Sequence, residues 1–161
     1  MEIRKWRNEQ IYHLRQENPL TIEDQDYYFL NIVNKLFEHE KPKQILFSFL
    51  EKNVCIGYGG LVHINWVDQN AELSFILDTK FESNFFSYYL SIFLKLIEKV
   101  AFQDLNLHKI YSYAFDIRPY LYPILESEGF IKDAVLKDHC FLNQEFKNVV
   151  IHFKINENPF K

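Results

Sequence analysis

The chain has 161 residues, 48% of them hydrophobic and 17% aromatic, with a formal net charge of −4. That length is one domain, expected to span residues 1–161, with ample apolar material for one core. The negative balance argues against non-specific binding to nucleic acid or to an anionic membrane.

Cys55 and Cys140 do not form a disulfide framework by their number and spacing, so a reducing, cytoplasmic compartment is the expectation. The start, MEIRKWRNEQ, lacks the apolar core of a signal peptide. The apolar run Phe85–Phe102 is interrupted by Lys95, Glu98 and Lys99, which makes it a poor membrane span.

In chain order, Ile3, Trp6, Ile11 and Leu14 recur among charges and predict a helix over Ile3–Gln16, ended by Asn18-Pro19. Thr21 caps a second helix, with Asp24 in the capping-box position, and that helix runs to about Phe37. Strands follow at Gln44–Leu50 and Val54–Trp66, joined by Glu51-Lys52-Asn53. Asp68-Gln69-Asn70 turns the chain into a third strand, Ala71–Leu77.

A loop, Glu82–Ser87, then feeds a long helix that buries Phe86, Tyr89, Leu90, Phe93, Ile97, Val100 and Ala101. Lys109–Phe115 is the next strand. A short helix lies between Pro119, suited to its first position, and Gly129, suited to its C-terminal cap. Phe130–Phe141 and Phe146–Ile155 close the chain as a hairpin around Asn143-Gln144. The order is ααβββαβαββ, an α+β or mixed α/β domain.

This order resembles the GNAT acyltransferase superfamily. The stretches that carry the resemblance are IGYGGLVHINW, AELSFILD, a loop feeding a helix, HKIYSYAFD, and a short helix ending in Glu128-Gly129-Phe130. Within that group, IRKWRN, LVHINW with AELSF, and LHKIYSYAFDIRP look like the bacterial branch that N-acylates amino sugars carried on nucleotides. The resemblance implies a mostly antiparallel twisted sheet flanked by helices, with CoA bound in a V between Ala71–Leu77 and Lys109–Phe115. It also implies acetyl-CoA or another acyl-CoA as co-substrate, a small-molecule acceptor and a homodimer. The reaction would be direct attack of an amine on the thioester, without a covalent enzyme intermediate. Acetylation of a protein N-terminus, a polyamine or an antibiotic is the alternative, and a catalytically silent binding module is a rival of another class.

The chain departs from the family pattern at three places. The diphosphate loop pattern Q/R-x-x-G-x-G/A falls on Glu82, Phe85 and Ser87, so no glycine is present. The tyrosine that protonates the departing thiolate falls on Leu125. Met1 lies almost inside the first helix, so the usual first strand is expected to be missing or shortened, through a truncated chain start or because the strand is dispensable.

Amine attack on a thioester needs a base, an oxyanion donor and a proton for the thiolate. Glu72, at the family's base position, is either that base or a salt-bridged strand carboxylate. His63 carries an imidazole, the side chain most often used for the same task, or is structural. Strand alternation places Leu61, His63 and Asn65 on one face and Val62, Ile64 and Trp66 on the other. Tyr113 or Tyr111 can replace the missing acid, with core packing the competing role.

By resemblance, the backbone of Phe75, Ile76 and Leu77 pairs with pantetheine. Amides and side chains of Ser83, Asn84, Phe85, Phe86 and Ser87 are expected to hold the diphosphate at the helix start, where an ordinary N-cap competes as an explanation. Arg118 takes the place of a cofactor-contacting asparagine, or forms a surface salt bridge. Tyr12, Arg15 and Trp66 are the expected acceptor-binding residues, the rings for a nucleobase and the guanidinium for a diphosphate. His13, His39, His108, His139 and His152 lack metal-ligand spacing, so no metal is expected.

Overall fold

The computed structural model describes residues 2–157. Six strands form one sheet in the order β1-β2-β3-β4-β6-β5. They are β1 (Ile45–Glu51), β2 (Val54–Asn65), β3 (Asn70–Leu77), β4 (Lys109–Phe115), β5 (Ile131–Leu142) and β6 (Glu145–Ile155). All neighbours are antiparallel except β3 and β4, which are parallel. This is the expected mixed α+β, mostly antiparallel sheet flanked by helices.

Short turns set the register of the two hairpins. Lys52 and Asn53 join β1 to β2 with φ of 48° and 65°, and Asn143 and Gln144 join β5 to β6 with φ of 50° and 64°. Two successive left-handed residues make the turn whose twist matches a hairpin.

The helices are α1 (Glu2–Glu9), α2 (Ile22–Tyr28), α3 (Asn34–Leu36), α4 (Thr79–Lys99) and α5 (Leu121–Ser127). The capping box at α2 forms as expected, with Thr21 and Asp24 bonding each other's backbone. The first expected helix is shorter: α1 ends at Glu9 and a 3-10 turn, Ile11–His13, follows. The second is interrupted between α2 and α3 by a π turn over Phe29–Val33.

The core lies where α4 packs on the sheet. Phe86, Leu90, Phe93, Leu94 and Ile97 of α4 meet Ile56, Leu61, Ala71, Leu77 and Ile110. Phe75 stacks on Phe93 with ring centroids 4.3 Å apart, and Phe49 meets Phe75 edge-on at 5.9 Å. Such pairs add about 0.5–1.5 kcal/mol beyond their burial. On the opposite face of β1–β3, α1 and the α2–α3 segment stand away from the sheet and leave a groove.

At the end of α5, Gly129 has φ of +83°, its N–H bonds the Glu126 carbonyl at 3.0 Å, and the Phe130 N–H bonds that of Leu125 at 3.0 Å. Glycine supplies that left-handed cap without strain. Cys55 and Cys140 are free and half-buried. No helix among the described residues is long and apolar enough to cross a membrane.

Candidate active site

β3 and β4 pair over only three residues, Asn70 with Lys109, Ala71 with Ile110, and Glu72 with Tyr111. Beyond Glu72 they separate. The backbone of Leu73–Leu77 and Ser112–Phe115 therefore borders an open V rather than a ladder. A cavity of about 170 Å³ sits in it, walled by Phe75, Phe86, Phe93, Tyr113 and Leu125 among others. Glu72 stands at the vertex.

Glu72 is 5% exposed. It pairs with Arg15, which reaches over from the segment after α1. The Arg15 guanidinium also lies over the Tyr113 ring, 4.5 Å from its centroid. Burial pushes the Glu72 carboxyl above the usual carboxylate range, against the opposing pull of Arg15 and His63. A carboxylate made more basic in this way is a better proton acceptor near neutral pH.

His63 Nε2 is 3.9 Å from Glu72 Oε2. The expected alternation fails here. The β2–β3 register shifts between Val62 and Asn65, and His63 has φ of +51°. This bulge puts Val62 and His63 both on the groove side, while Leu61 and Ile64 both enter the α4 core. Leu61 and His63 do not share a face. The bulge is what brings the imidazole toward Glu72.

The groove on that side has a volume of about 760 Å³. Leu14, Ser74 and Phe75 line both this groove and the V. His63 lines the groove and Glu72 lines the V. Tyr113 faces the V, and burial pushes its hydroxyl pKa up, so it stays protonated at neutral pH. Tyr111 pairs with Glu72 in register and does not line the V.

Ser83–Ser87 are not a loop. α4 begins at Thr79, so Ser83, Asn84, Phe85, Phe86 and Ser87 lie inside the helix, where backbone N–H groups are taken up by the i−4 carbonyls. The stretch holds no glycine or proline to stop the helix, and Asp78 caps it earlier, accepting the Lys80 N–H at 3.2 Å. Asp78 also pairs with Lys80 Nζ at 2.7 Å, and Thr79 donates its hydroxyl hydrogen to Glu9. Two carboxylates thus already occupy the positive end of the helix dipole.

Glu82 turns away from that end. It points to Arg118 at 3.4 Å, and burial raises its pKa. Arg118 is not a surface ion pair: it is 8% exposed. It lies over the Phe86 ring at 4.6 Å, donates to Tyr120 Oη at 2.8 Å and meets His13 Nε2 at 3.0 Å. Burial and Arg118 push the His13 pKa down to about 3, so the imidazole is neutral and accepts from the guanidinium.

The expected acceptor residues scatter. Trp66 lines neither cavity; its indole N–H donates to the Pro42 carbonyl at 2.8 Å and its ring packs on the core, the role of a strand-end residue. Tyr12 sits beside Arg118 and Tyr120 rather than in the groove. Arg15 is at the vertex, held by Glu72. Phe75 lines both cavities and Ile76 the groove, while the Leu77 carbonyl already accepts from Gln10 Nε2 at 2.7 Å.

The open V fits the acyl-pantetheine arm of a CoA thioester. The α4 start does not fit its diphosphate in the glycine-loop manner, since Asp78 and Glu9 hold that position. Among the described residues no group of three His, Cys, Asp or Glu could hold a metal ion.

A family model described as an acetyltransferase (GNAT) domain matches residues 1–150. The chain belongs to that family. Membership brings acetyl-CoA as co-substrate and N-acyl transfer as the reaction class. The chain is similar to a spermidine N(1)-acetyltransferase of Vibrio cholerae, 25% identical over 118 residues, which is 73% of this chain and 66% of that protein.

The crystal structure of the Vibrio cholerae spermidine N-acetyltransferase with CoA and spermine superposes with a TM-score of 0.79 at 19% identity, over 98% of this chain and 90% of that one. A second structure, a spermidine/spermine N-acetyltransferase from the same organism with manganese ions, gives 0.69 at 22% identity over 84% and 74%. These relatives are named as spermidine or spermidine/spermine acetyltransferases, not as acyltransferases of nucleotide-linked amino sugars.

Sequence reasoning pointed to Arg7 with Arg4, Lys5 and Arg15 as a basic cluster near the acceptor; it missed Tyr58 and Ser74 as residues of these spaces, and Gln10, whose buried amide bonds the Leu77 carbonyl. Ser74 carried a usable signal, because it alternates with the core residues Ala71 and Leu77 of its strand, whereas Tyr58 has the parity of Ile56 and Ile64, both of the core, and carried none. Gln10 carried none, since an isolated glutamine looks solvated until its partner is known.

Proposed function

We propose that the protein transfers the acetyl group of acetyl-CoA to a primary amine of a small-molecule acceptor, by direct attack in a ternary complex. One observation carries this reading. Two cavities on different sides of the sheet share Leu14, Ser74 and Phe75 as walls, and His63 in one is 3.9 Å from Glu72 in the other.

When bound in the V, acetyl-CoA supplies the thioester. The groove delivers the amine. An ammonium arriving beside His63 gives up a proton to the His63–Glu72 pair, whose carboxylate is made more basic by burial. Arg15 holds Glu72 in place and neutralises it between turnovers. The Tyr113 hydroxyl keeps a proton inside the V, where a departing thiolate needs one.

Two acceptor chemistries have specific support. A polyamine is supported by the names of the similar proteins. A nucleotide-linked amino sugar is supported by the groove, which is lined by Arg7, Lys41 and Lys43 against the carboxylate of Asp24. The test is release of free CoA thiol from acetyl-CoA, with spermidine, spermine and UDP-linked amino sugars as acceptors. Acceptor-dependent release with one class is expected. Absence of release with every amine tried would remove the reading.

A further inference from the structure

The mouth of the V holds a buried ion pair that is only half made. Arg118, which follows β4, lines the V and is 8% exposed. Its Nε donates to Tyr120 Oη at 2.8 Å and one terminal nitrogen to His13 Nε2 at 3.0 Å, so two of its nitrogens are spent on a phenol and an imidazole. The other terminal nitrogen faces Glu82 Oε2 across 3.4 Å, which is long for a charge-assisted hydrogen bond. Glu82 Oε1 is buried and has no hydrogen-bond partner among the described residues. A carboxylate withdrawn from water with one oxygen unsatisfied is costly, and protonation relieves the cost. Burial accordingly pushes the Glu82 pKa up, against the pull of Arg118.

From the elements packed against Glu82, the ionisable groups are Arg118 and Tyr120 ahead of α5, and Tyr12 and His13 of the 3-10 turn. The His13 imidazole is neutral, and burial pushes the Tyr12 hydroxyl up, so it stays protonated. At the start of α4, Lys80 is already paired with Asp78. Among the described residues, Glu82 therefore has Arg118 alone as its counter-charge. Position matters as much as charge. β3 leads into α4 and β4 into α5, so the Arg118–Glu82 contact spans the two elements that leave the open end of the V. From a thioester at Glu72, a donor arm passes Leu73–Leu77, four steps of about 3.3 Å or roughly 13 Å, before it comes out there.

We propose that donor binding is linked to a proton: Arg118 exchanges the Glu82 carboxylate for the donor's diphosphate, and Glu82 takes up one proton from solvent. This rests on the reading of the V as the donor cleft. A guanidinium presents a planar pair of donors that matches two phosphoryl oxygens, which a lysine cannot do. Arg118 thus gives the chain a diphosphate ligand at the V in place of the glycine loop it lacks. An arriving anion and the loss of Arg118 both disfavour a charged Glu82, so the proton goes on rather than off. The complex then holds more protons than the free chain. Binding therefore tightens as pH falls, by at most about tenfold per pH unit, until the free carboxylate is itself protonated.

Dephospho-CoA is the probe, because it keeps the diphosphate and lacks the separately titrating 3′-phosphate. Pantetheine, which has no diphosphate, is the control. Each is titrated calorimetrically into the full chain at neutral pH, in buffers of different ionisation enthalpy. The expected result is net proton uptake with dephospho-CoA, at most about one proton, and none with pantetheine. Glu82→Gln should abolish the uptake and bind dephospho-CoA at least as tightly, since Arg118 no longer has a carboxylate to give up. Arg118→Lys keeps a charge beside Glu82 and loses the fork; it should weaken dephospho-CoA by about tenfold and leave pantetheine unchanged. Melting curves verify that each variant is folded; should Arg118→Lys not fold, Glu82→Gln decides.

No binding of dephospho-CoA, binding enthalpy that is the same in every buffer, or proton uptake that survives in Glu82→Gln overturns the proposal. The outcome separates from that of the acetyltransferase reading. Glu82-dependent proton uptake without thiol release from any amine keeps the linkage and removes the enzyme reading. Thiol release to an amine, with no Glu82-dependent uptake, does the reverse.

Discussion

Removing His63, Glu72 or both tests whether the vertex works as one proton-accepting unit. Loss of a general base lowers turnover by about 10²–10⁴-fold. At the lower figure, each of Glu72→Gln and His63→Ala removes about 2.7 kcal/mol of transition-state stabilisation, at about 1.36 kcal/mol per factor of ten. If the two residues acted separately, the double variant would lose about 10⁴-fold. They lie 3.9 Å apart, one on the bulge of β2 and the other on β3. Groups in direct contact couple, and residues that act as a unit are far from additive. The double variant should therefore lose roughly 10²-fold, little more than the worse single variant.

Single-turnover thiol release, with the acceptor identified in the screen, is the assay. Substrate saturation separates binding from chemistry. Glu72→Gln is expected to act on kcat, since Glu72 lines the V at the reacting end and not the groove. His63→Ala, which changes a residue lining the groove, should also raise the acceptor KM. A double variant that multiplies the two single losses would refute the unit. Near-normal turnover in both single variants would leave a proximity mechanism with water as the proton acceptor.

Three further outcomes are expected. Burial raises the Glu72 pKa and Arg15 opposes the rise, so Arg15→Ala should move the acidic limb of the kcat/KM profile to higher pH; an unmoved limb would exclude Glu72 as the titrating base. Asp78→Asn keeps a capping side chain and removes a negative charge from the positive end of α4, so stability should fall by roughly 0.3–1 kcal/mol, a Tm lower by about 1–4 °C, with the acetyl-CoA KM unchanged. Gly59→Ala would place its Cβ 2.3 Å from the Ser74 carbonyl oxygen and 2.8 Å from Phe75 Cα, forcing β2 and β3 apart; a cost of about 1–3 kcal/mol and a Tm lower by roughly 2–12 °C should be visible by calorimetry.

The sequence was most legible where local chemistry acts alone. Two-residue turns, the Thr21–Asp24 box and the Gly129 cap depend on neighbours in the chain, and each formed where its residues stand. The apolar spacing of α4 likewise identified its buried face. Legibility ended where tertiary geometry overrides period. The bulge at His63 breaks the two-residue alternation, and LVHIN marks it only by a histidine, a residue that tolerates positive φ but is common in regular strands too. The π turn at Phe29–Val33 shifts the helical period in the same silent way.

The site itself shows why family pattern and physical chemistry have to be weighed separately. The pattern placed a diphosphate loop at Glu82–Ser87 because relatives have one there. The residues present say otherwise: without glycine the backbone has no cause to leave the helix, and Asp78 starts it earlier. Glu82, stranded inside the helix, then needs a cation, and Arg118 supplies it under cover of Phe86 and Tyr120. One sequence change at the loop thus accounts for the helix start, for the inward turn of Glu82 and for the burial of Arg118. The same reasoning assigns the donor's grip to the walls of the V rather than to the helix end.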